Sequence, residues 1–254
     1  MKKFLFIPLT LFFLAMLAGS AWLTFPQHIA QASFSISVPA ITGTTTLVPL
    51  VVYDLKASGF VPGDKLALSL GTKAPDFNLP DVVSGQMISL ETFKDKKALL
   101  VIFMCRHCPY VQHVKKELAK IGQDYKNRDV GIVGISSNDS VMYPDDNPES
   151  LSEMAKELDF TFPLCFDETQ EVAKNYTAAC TPDIFLFDSG QKLIYRGQLD
   201  SSRPGNDIPV TGEDLRQALD SILEGKPVSK DQKPSSGCNI KWKKGNEPFY
   251  FGNS

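Results

Sequence analysis

The chain has 254 residues, 43% of them apolar and 22% charged, with a formal net charge of −3. That is enough for one ample domain with appendages, and the absence of any basic block excludes nucleic acid as a natural partner. Five cysteines are too few for a disulfide scaffold, and their odd number leaves at least one free, paired between molecules or exchanging partners.

Met1-Lys2-Lys3 precedes a mostly apolar stretch from Phe4 to Leu17, and Ala30-Gln31-Ala32 follows. A charged start, an apolar run and an Ala-x-Ala site read as a secretory signal peptide over residues 1–32, cut after Ala32. The alternative is an uncleaved membrane tether through residues 4–25, nearly long enough to cross a bilayer. Both readings place the body outside the cytoplasm (periplasm, lumen or secreted), where disulfides persist. Residues 33–70 read as a linker or N-terminal extension. The domain proper is expected over 71–224, beginning with a hairpin whose arms are 74–79 and 86–90 and whose turn is Ser84-Gly85.

Residues 98–104 form an unbroken apolar run, the pattern of a buried strand. From Pro109, the apolar residues Val111, Val114, Leu118 and Ile121 recur at three- and four-residue steps among lysines, which predicts an amphipathic helix to about Lys126. Val130 to Ser136 is a second buried strand, so 98–136 is a β-α-β unit with parallel strands. Residues 137–148, with Asp145-Asp146-Asn147, read as a solvated polar loop. Helices are expected over 149–158, 168–176 and 212–223. Strands are expected at 164–166, 184–187 and 192–197. Cys165, inside the first of these strands, reads as an inert buried thiol. Arg196 and Arg203 are candidates to steady a thiolate but read by default as exposed surface charges, and His113 reads as a helix-surface residue rather than a ligand. The tail, 225–254, carries Cys238, Trp242 and Phe249-Tyr250-Phe251, too aromatic for a disordered segment, and is expected to pack on the domain.

The chemistry concentrates at Cys105-Arg106-His107-Cys108, where the strand becomes a helix. Residues three apart on a helical turn have Cβ atoms roughly 5–6 Å apart, near the spacing a disulfide needs. The unpaired N–H groups and positive dipole end of a helix start favour a thiolate. Arg106 and His107 add positive charge that pushes the same way. A structural zinc site needs about four ligands; there is no second Cys-x-x-Cys and only three histidines, so no metal or other cofactor is expected.

Ala74-Pro75-Asp76-Phe77, the strand ending in Cys105-x-x-Cys108-Pro109-Tyr110, Thr181-Pro182-Asp183 and Gly237-Cys238-Asn239-Ile240-Lys241-Trp242 together resemble the thioredoxin-like superfamily, in particular its peroxiredoxin-related (AhpC/TSA-like) redoxin branch. The resemblance implies an α/β thioredoxin-like fold, a central mixed sheet flanked by helices. It also implies a cis Thr181–Pro182 bond facing the cysteine pair, with Thr181 and Pro182 in the catalytic set. The chain departs from thioredoxins in carrying Met104 where they have Trp, and Arg106-His107 where they commonly have Gly-Pro. A His before the second Cys resembles the oxidising, periplasmic members of the superfamily.

Three functions follow as expectations. In the first, the protein is an extracytoplasmic thiol–disulfide oxidoreductase: Cys105 attacks a protein or small-molecule disulfide and Cys108 resolves the mixed disulfide. In the second, it is a thiol peroxidase whose peroxidatic sulfur is Cys108 or Cys105; Pro109 at the first helical position would put Cys108 at the N-cap, as peroxiredoxins hold theirs. The remote third is a copper-binding module, for which the two-residue cysteine spacing is one residue too short. Cys180 and Cys238 are left open between a structural disulfide pinning the tail and a resolving relay.

Overall fold

The computed structural model describes residues 37–39, 45–47 and 68–251. The expected signal or anchor segment, 1–32, and most of the expected linker lie outside the described residues. Strands β1 (Ser37–Pro39) and β2 (Thr45–Leu47) pair antiparallel, with Ser37 opposite Leu47. Among the described residues, no helix is long and apolar enough to cross a membrane.

From residue 68 onward the chain builds an α/β domain. The expected hairpin is present as β3 (Asn78–Pro80) and β4 (Met87–Ser89). The central sheet comprises β5 (Ala98–Phe103), β6 (Val130–Ser136), β7 (Leu164–Phe166), β9 (Asp183–Asp188) and β10 (Leu193–Gly197), in the order β10-β9-β5-β6-β7. β5 runs parallel to β6 and antiparallel to β9, so the sheet is mixed, and β5 is its middle strand. Two-residue strands β8 (Cys180–Thr181) and β11 (Cys238–Asn239) pair separately. The helices are α1 (Pro109–Tyr125), α2 (Pro148–Glu157), α3 (Glu171–Asn175) and α4 (Glu213–Leu223).

The apolar run of β5 is continuous because both of its faces are covered. Side chains alternate across a strand. Leu100 and Ile102 therefore pack with Val111, Leu118 and Ile121 of α1 and Leu215 and Leu219 of α4, while Val101 and Phe103 pack on the other side with Tyr176, Phe185 and Phe187. Each such side chain contributes about 1.5–3 kcal/mol on full burial. Gly131 in β6 is required by close approach: a Cβ there would sit 2.5 Å from a Phe93 ring carbon.

The helix expected over 168–176 is shorter. Gln170 adopts φ 65°, in the left-handed region, and the helix runs only from Glu171 to Asn175. The cause is remote in sequence. The fully buried Gln170 side chain donates to Ser137 O at 2.7 Å and Lys241 O at 3.0 Å, and it accepts from Lys243 N at 2.9 Å. The tail does pack on the domain, and Gln170 is one of its anchors.

Candidate active site

β5 delivers its C-terminal end into the loop Met104–His107, and α1 leaves it. Pro109 occupies the first helical turn and Cys108 is the N-cap, with extended backbone angles (φ −64°, ψ 124°). Proline suits this position because its fixed φ matches the helix and its missing N–H would have been unpaired. Cys105 and Cys108 are both fully buried, with 0% exposure.

Facing them is the turn at Thr181–Pro182, whose peptide bond is cis. Thr181 touches both sulfurs: its hydroxyl oxygen lies 3.4 Å from Cys105 Sγ, and its carbonyl oxygen lies 3.1 Å from Cys108 Sγ. β11 lies alongside as an antiparallel partner, with Cys238 opposite Thr181 and Asn239 opposite Cys180. In this register Cys238 and Cys180 project to opposite faces, and none of the five cysteines is in a disulfide. The structural Cys180–Cys238 disulfide considered above is therefore not the tail's fastening. Backbone pairing, Gln170 and Asn138 hold the tail instead; Lys241 N donates to Asn138 Oδ1 at 2.8 Å. Cys238 lies on the dithiol side of this pairing, opposite the Thr181 that spans both sulfurs, and its backbone N–H favours the Cys108 anion.

Asp146 corrects the reading of 137–148 as a solvated loop. Its carboxylate is fully buried. Oδ1 accepts from Arg106 N at 2.7 Å and His107 N at 3.0 Å; Oδ2 accepts from Asn138 Nδ2 at 2.8 Å and from the His107 ring N–H. A carboxylate has about four lone-pair sites, and all four are used. One side chain thus fastens the segment between the two cysteines to the loop after β6 and, through Asn138, to the tail. Asn138 (2% exposed) and Asp139 (7%) are buried with it. The polar composition of 137–148 concealed this, because a buried polar network and a wet loop have the same composition.

Arg106 does not supply the charge expected of it at the sulfurs. Its guanidinium donates outward, to Ser150 O at 2.7 Å and Glu153 at 2.8 Å. His107 stays close, with Nδ1 3.9 Å from Cys105 Sγ and its ring stacked on Tyr143. Arg196 is not a surface charge either. It donates to Thr177 O at 2.8 Å and Asp183 Oδ2 at 3.3 Å, and its guanidinium covers the Phe185 ring, which braces the residue after Pro182. Arg203 donates to the carbonyls of Asp200 and Ser202. His113 is half-buried, with Nε2 2.7 Å from Ser202 Oγ.

The electrostatics separate the two thiols. Cys108 is pulled well below the ordinary thiol range. The Cys105 S–H donating to it is the largest cause, reinforced by Thr181 and by the backbone N–H groups of Val111 and Cys238. Burial opposes, favouring the neutral thiol, but the donors outweigh it. Cys105 is pushed up, first by the bond it donates to Cys108, then by burial and by the Asp146 charge. The pair therefore shares one proton, held on Cys105, with the anion at the helix start. Cys165, pushed up to about 12 by burial, stays a thiol.

Cys105, His107 and Asp146 place one potential ligand atom each within 4.8 Å of one another. The four hydrogen bonds already on Asp146 account for that cluster without an ion.

The model of the AhpC/TSA family matches residues 70–196. A solved structure of an uncharacterized conserved protein from Geobacillus kaustophilus is 52% identical, covering 70% of this chain and 94% of its own, with a TM-score of 0.69. A hypothetical protein from Sinorhizobium meliloti 1021 is 46% identical, covering 70% of this chain and 97% of its own, also at 0.69. No curated protein matches the sequence.

Proposed function

The chain belongs to the AhpC/TSA family, within the redoxin branch of the thioredoxin-like superfamily, and on that premise we propose that it is an extracytoplasmic thiol–disulfide oxidoreductase working through Cys105 and Cys108. The observation that carries the reading is two buried thiols brought together at a helix start: Cys108 is the N-cap of α1, and Thr181 spans the pair, its hydroxyl 3.4 Å from Cys105 Sγ and its carbonyl 3.1 Å from Cys108 Sγ. The thiolate is the nucleophile in exchange.

The cycle has two displacements. Cys108 thiolate attacks one sulfur of a substrate disulfide, forming a mixed disulfide, and the other substrate sulfur leaves as a thiolate and is protonated. Cys105 then loses its proton and attacks Cys108 Sγ. The second substrate thiolate leaves, and a Cys105–Cys108 disulfide remains. Two electrons have passed to the substrate. Stabilising the Cys108 anion favours the dithiol state, which makes the disulfide a stronger oxidant. The Lys2-Lys3 start, apolar stretch and Ala-x-Ala site support export.

A second reading is thiol peroxidase. Cys-Pro at a helix start and full burial of both sulfurs favour a small substrate over a bulky one. Cys108 would then become a sulfenic acid as peroxide leaves as water or alcohol, and Cys105 would condense with it, releasing water.

Both readings are tested on purified protein by reduction of a small disulfide, oxidised glutathione, and by peroxide consumption, run on Cys105→Ser and Cys108→Ser. Exchange requires that Cys108→Ser abolish disulfide reduction and that a variant lacking both Cys105 and Cys238, each replaced by Ser, stop at the mixed disulfide on Cys108. Peroxide turnover by the wild type that Cys108→Ser abolishes, with no wild-type disulfide reduction, replaces the first reading with the second. Export is tested by N-terminal sequencing of protein from the producing cells: a start at Ser33 supports it, and an intact Met1 in a cytoplasmic fraction refutes it.

A further inference from the structure

We infer that Cys238 is the exchange port of this centre, a third redox sulfur through which a bulky thiol partner reaches the buried dithiol. The inference rests on the proposed Cys105–Cys108 redox cycle and adds to it the route by which electrons enter or leave.

Three independent observations place Cys238 in this role. The first is access. Cys105 and Cys108 expose nothing, whereas Cys238 is only half-buried and is paired directly opposite Thr181, whose carbonyl lies 3.1 Å from Cys108 Sγ. A macromolecular thiol cannot attack a sulfur it cannot touch, and Cys238, on the face of β11 that Thr181 shares, is half-exposed.

The second is register. β11 pairs antiparallel with β8, Cys238 directly opposite Thr181, and Thr181 is the residue that touches both active sulfurs. The tail adds a strand to an edge at the active site, as an extended peptide would in strand-addition recognition. It brings its own cysteine to the place where a substrate cysteine would be presented.

The third is that Gly237 makes the approach possible. A Cβ at Gly237 would fall 2.1 Å from Thr181 O and 2.6 Å from Thr181 C. Only glycine lets this strand lie so close to the Thr181–Pro182 turn. The strand is short, two residues, and is held largely by Ile240 N donating to Ala179 O and by the Lys241 bonds to Asn138 and Gln170.

The steps balance without an oxidant beyond the protein's own disulfide. Starting from the Cys105–Cys108 disulfide, Cys238 loses a proton and attacks Cys108 Sγ. A Cys108–Cys238 bond forms, the Cys105–Cys108 bond breaks, and Cys105 leaves as a thiolate that takes up a proton. A partner dithiol then attacks Cys238 Sγ, forming a mixed disulfide and expelling Cys108 as its stabilised thiolate. The partner's second thiol displaces Cys238, which is reprotonated, and the partner departs as a disulfide. Two electrons have entered the protein, and one proton is released because Cys108 remains ionised. The order of events is self-regulating. In the reduced state the Cys238 thiol is pushed up to about 11, by burial first and then by the adjacent Cys108. With Cys108 tied in a disulfide its anion is gone, and Cys238 is freer to ionise when its attack is needed.

The test uses the full chain. Each form is oxidised with oxidised glutathione, quenched in acid, and its disulfides are mapped by mass spectrometry without reduction. Cys105→Ser is expected to convert to a Cys108–Cys238 disulfide, whereas Cys108 carrying glutathione with Cys238 free overturns the inference. In parallel, oxidised wild type and Cys238→Ser are reduced with a small phosphine and with reduced thioredoxin as a bulky dithiol. Cys238→Ser is expected to slow the thioredoxin reaction on the order of tenfold or more, since exchange follows access to the attacked sulfur, and to leave the phosphine reaction unchanged. Equal rates with thioredoxin refute the port. Gly237→Ala, which keeps all five thiols but displaces the strand, is expected to reproduce the Cys238→Ser defect; a wild-type thioredoxin rate in this variant also refutes it. If the wild type forms no Cys105–Cys108 disulfide at all, the underlying redox reading fails. If that disulfide forms and Cys238 takes no part, only the port fails.

Discussion

Asp146→Asn tests whether one buried carboxylate organises the dithiol loop. In the wild type, Asp146 Oδ1 accepts two backbone N–H groups, from Arg106 and His107, and Oδ2 accepts from Asn138 Nδ2 and from His107. The amide can keep the Oδ1 pair, but as neutral bonds of roughly half the charge-assisted strength. Its NH2 group then faces two donors. The His107 ring can change tautomer and accept, but the Asn138 amide cannot, so a buried donor is left unsatisfied at about 1–3 kcal/mol. Together these give a loss of roughly 2–4 kcal/mol. At about 2–4 °C per kcal/mol for a domain of this size, the melting temperature of the reduced protein should fall by roughly 4–16 °C. A second readout separates this from generic destabilisation. The Asp146 charge helps hold the proton on Cys105. In a Cys108→Ser background, where Cys105 loses its largest bond partner, Asp146→Asn should move the pH profile of Cys105 alkylation downward. A melting temperature within about 2 °C of wild type, together with an unshifted alkylation profile, refutes the reasoning.

Alkylation of Cys108 in the reduced protein should persist as pH falls below the ordinary thiol range, which single-residue mass spectrometry can follow; a midpoint at the free-cysteine value would refute the anion site. Because the Cys108 pKa is depressed on folding, its contribution to reduced-state stability is fully present above the unfolded value of about 8.5. It is lost as pH falls through the folded value, so the stability gap between wild type and Cys108→Ser should widen with rising pH across that window. Equilibration with glutathione should give a reduction potential above thioredoxin's roughly −270 mV; a lower value contradicts a stabilised thiolate. Arg196→Ala, which strips the partner from buried Asp183 and uncovers Phe185, should cost roughly 2–4 kcal/mol in denaturant unfolding. Tyr176→Phe, losing only the bond from its hydroxyl to Pro75 O at 2.8 Å, should cost about 1 kcal/mol.

What the chain states by itself is what local pattern can carry. The all-apolar run of β5, the three- and four-residue periodicity of α1, the second apolar run of β6 and the Cys-x-x-Cys-Pro between the first two are short-range signals. They set the β-α-β unit and the place of the dithiol, because strand and helix periods leave different spacings along the chain. Thr181-Pro182 and the aromatic tail were legible as belonging to the site or the domain, but not as contacts.

Tertiary structure alone decided the rest, because it depends on charges and hydrogen bonds between groups far apart along the chain. Asp146 meets the dithiol loop 40 positions away, and Asn138 meets Lys241 across 103. No periodicity marks either partner, and an acidic loop looks the same whether it faces water or a row of buried N–H groups. The direction of Arg106 was likewise set by the position of Glu153 rather than by its neighbours in sequence. That Cys238 sits opposite Thr181, beside the dithiol, followed only once the fold had laid β11 against the Thr181–Pro182 turn. A thiol's ionisation answers to every donor and charge around it in space, and sequence order does not record that neighbourhood.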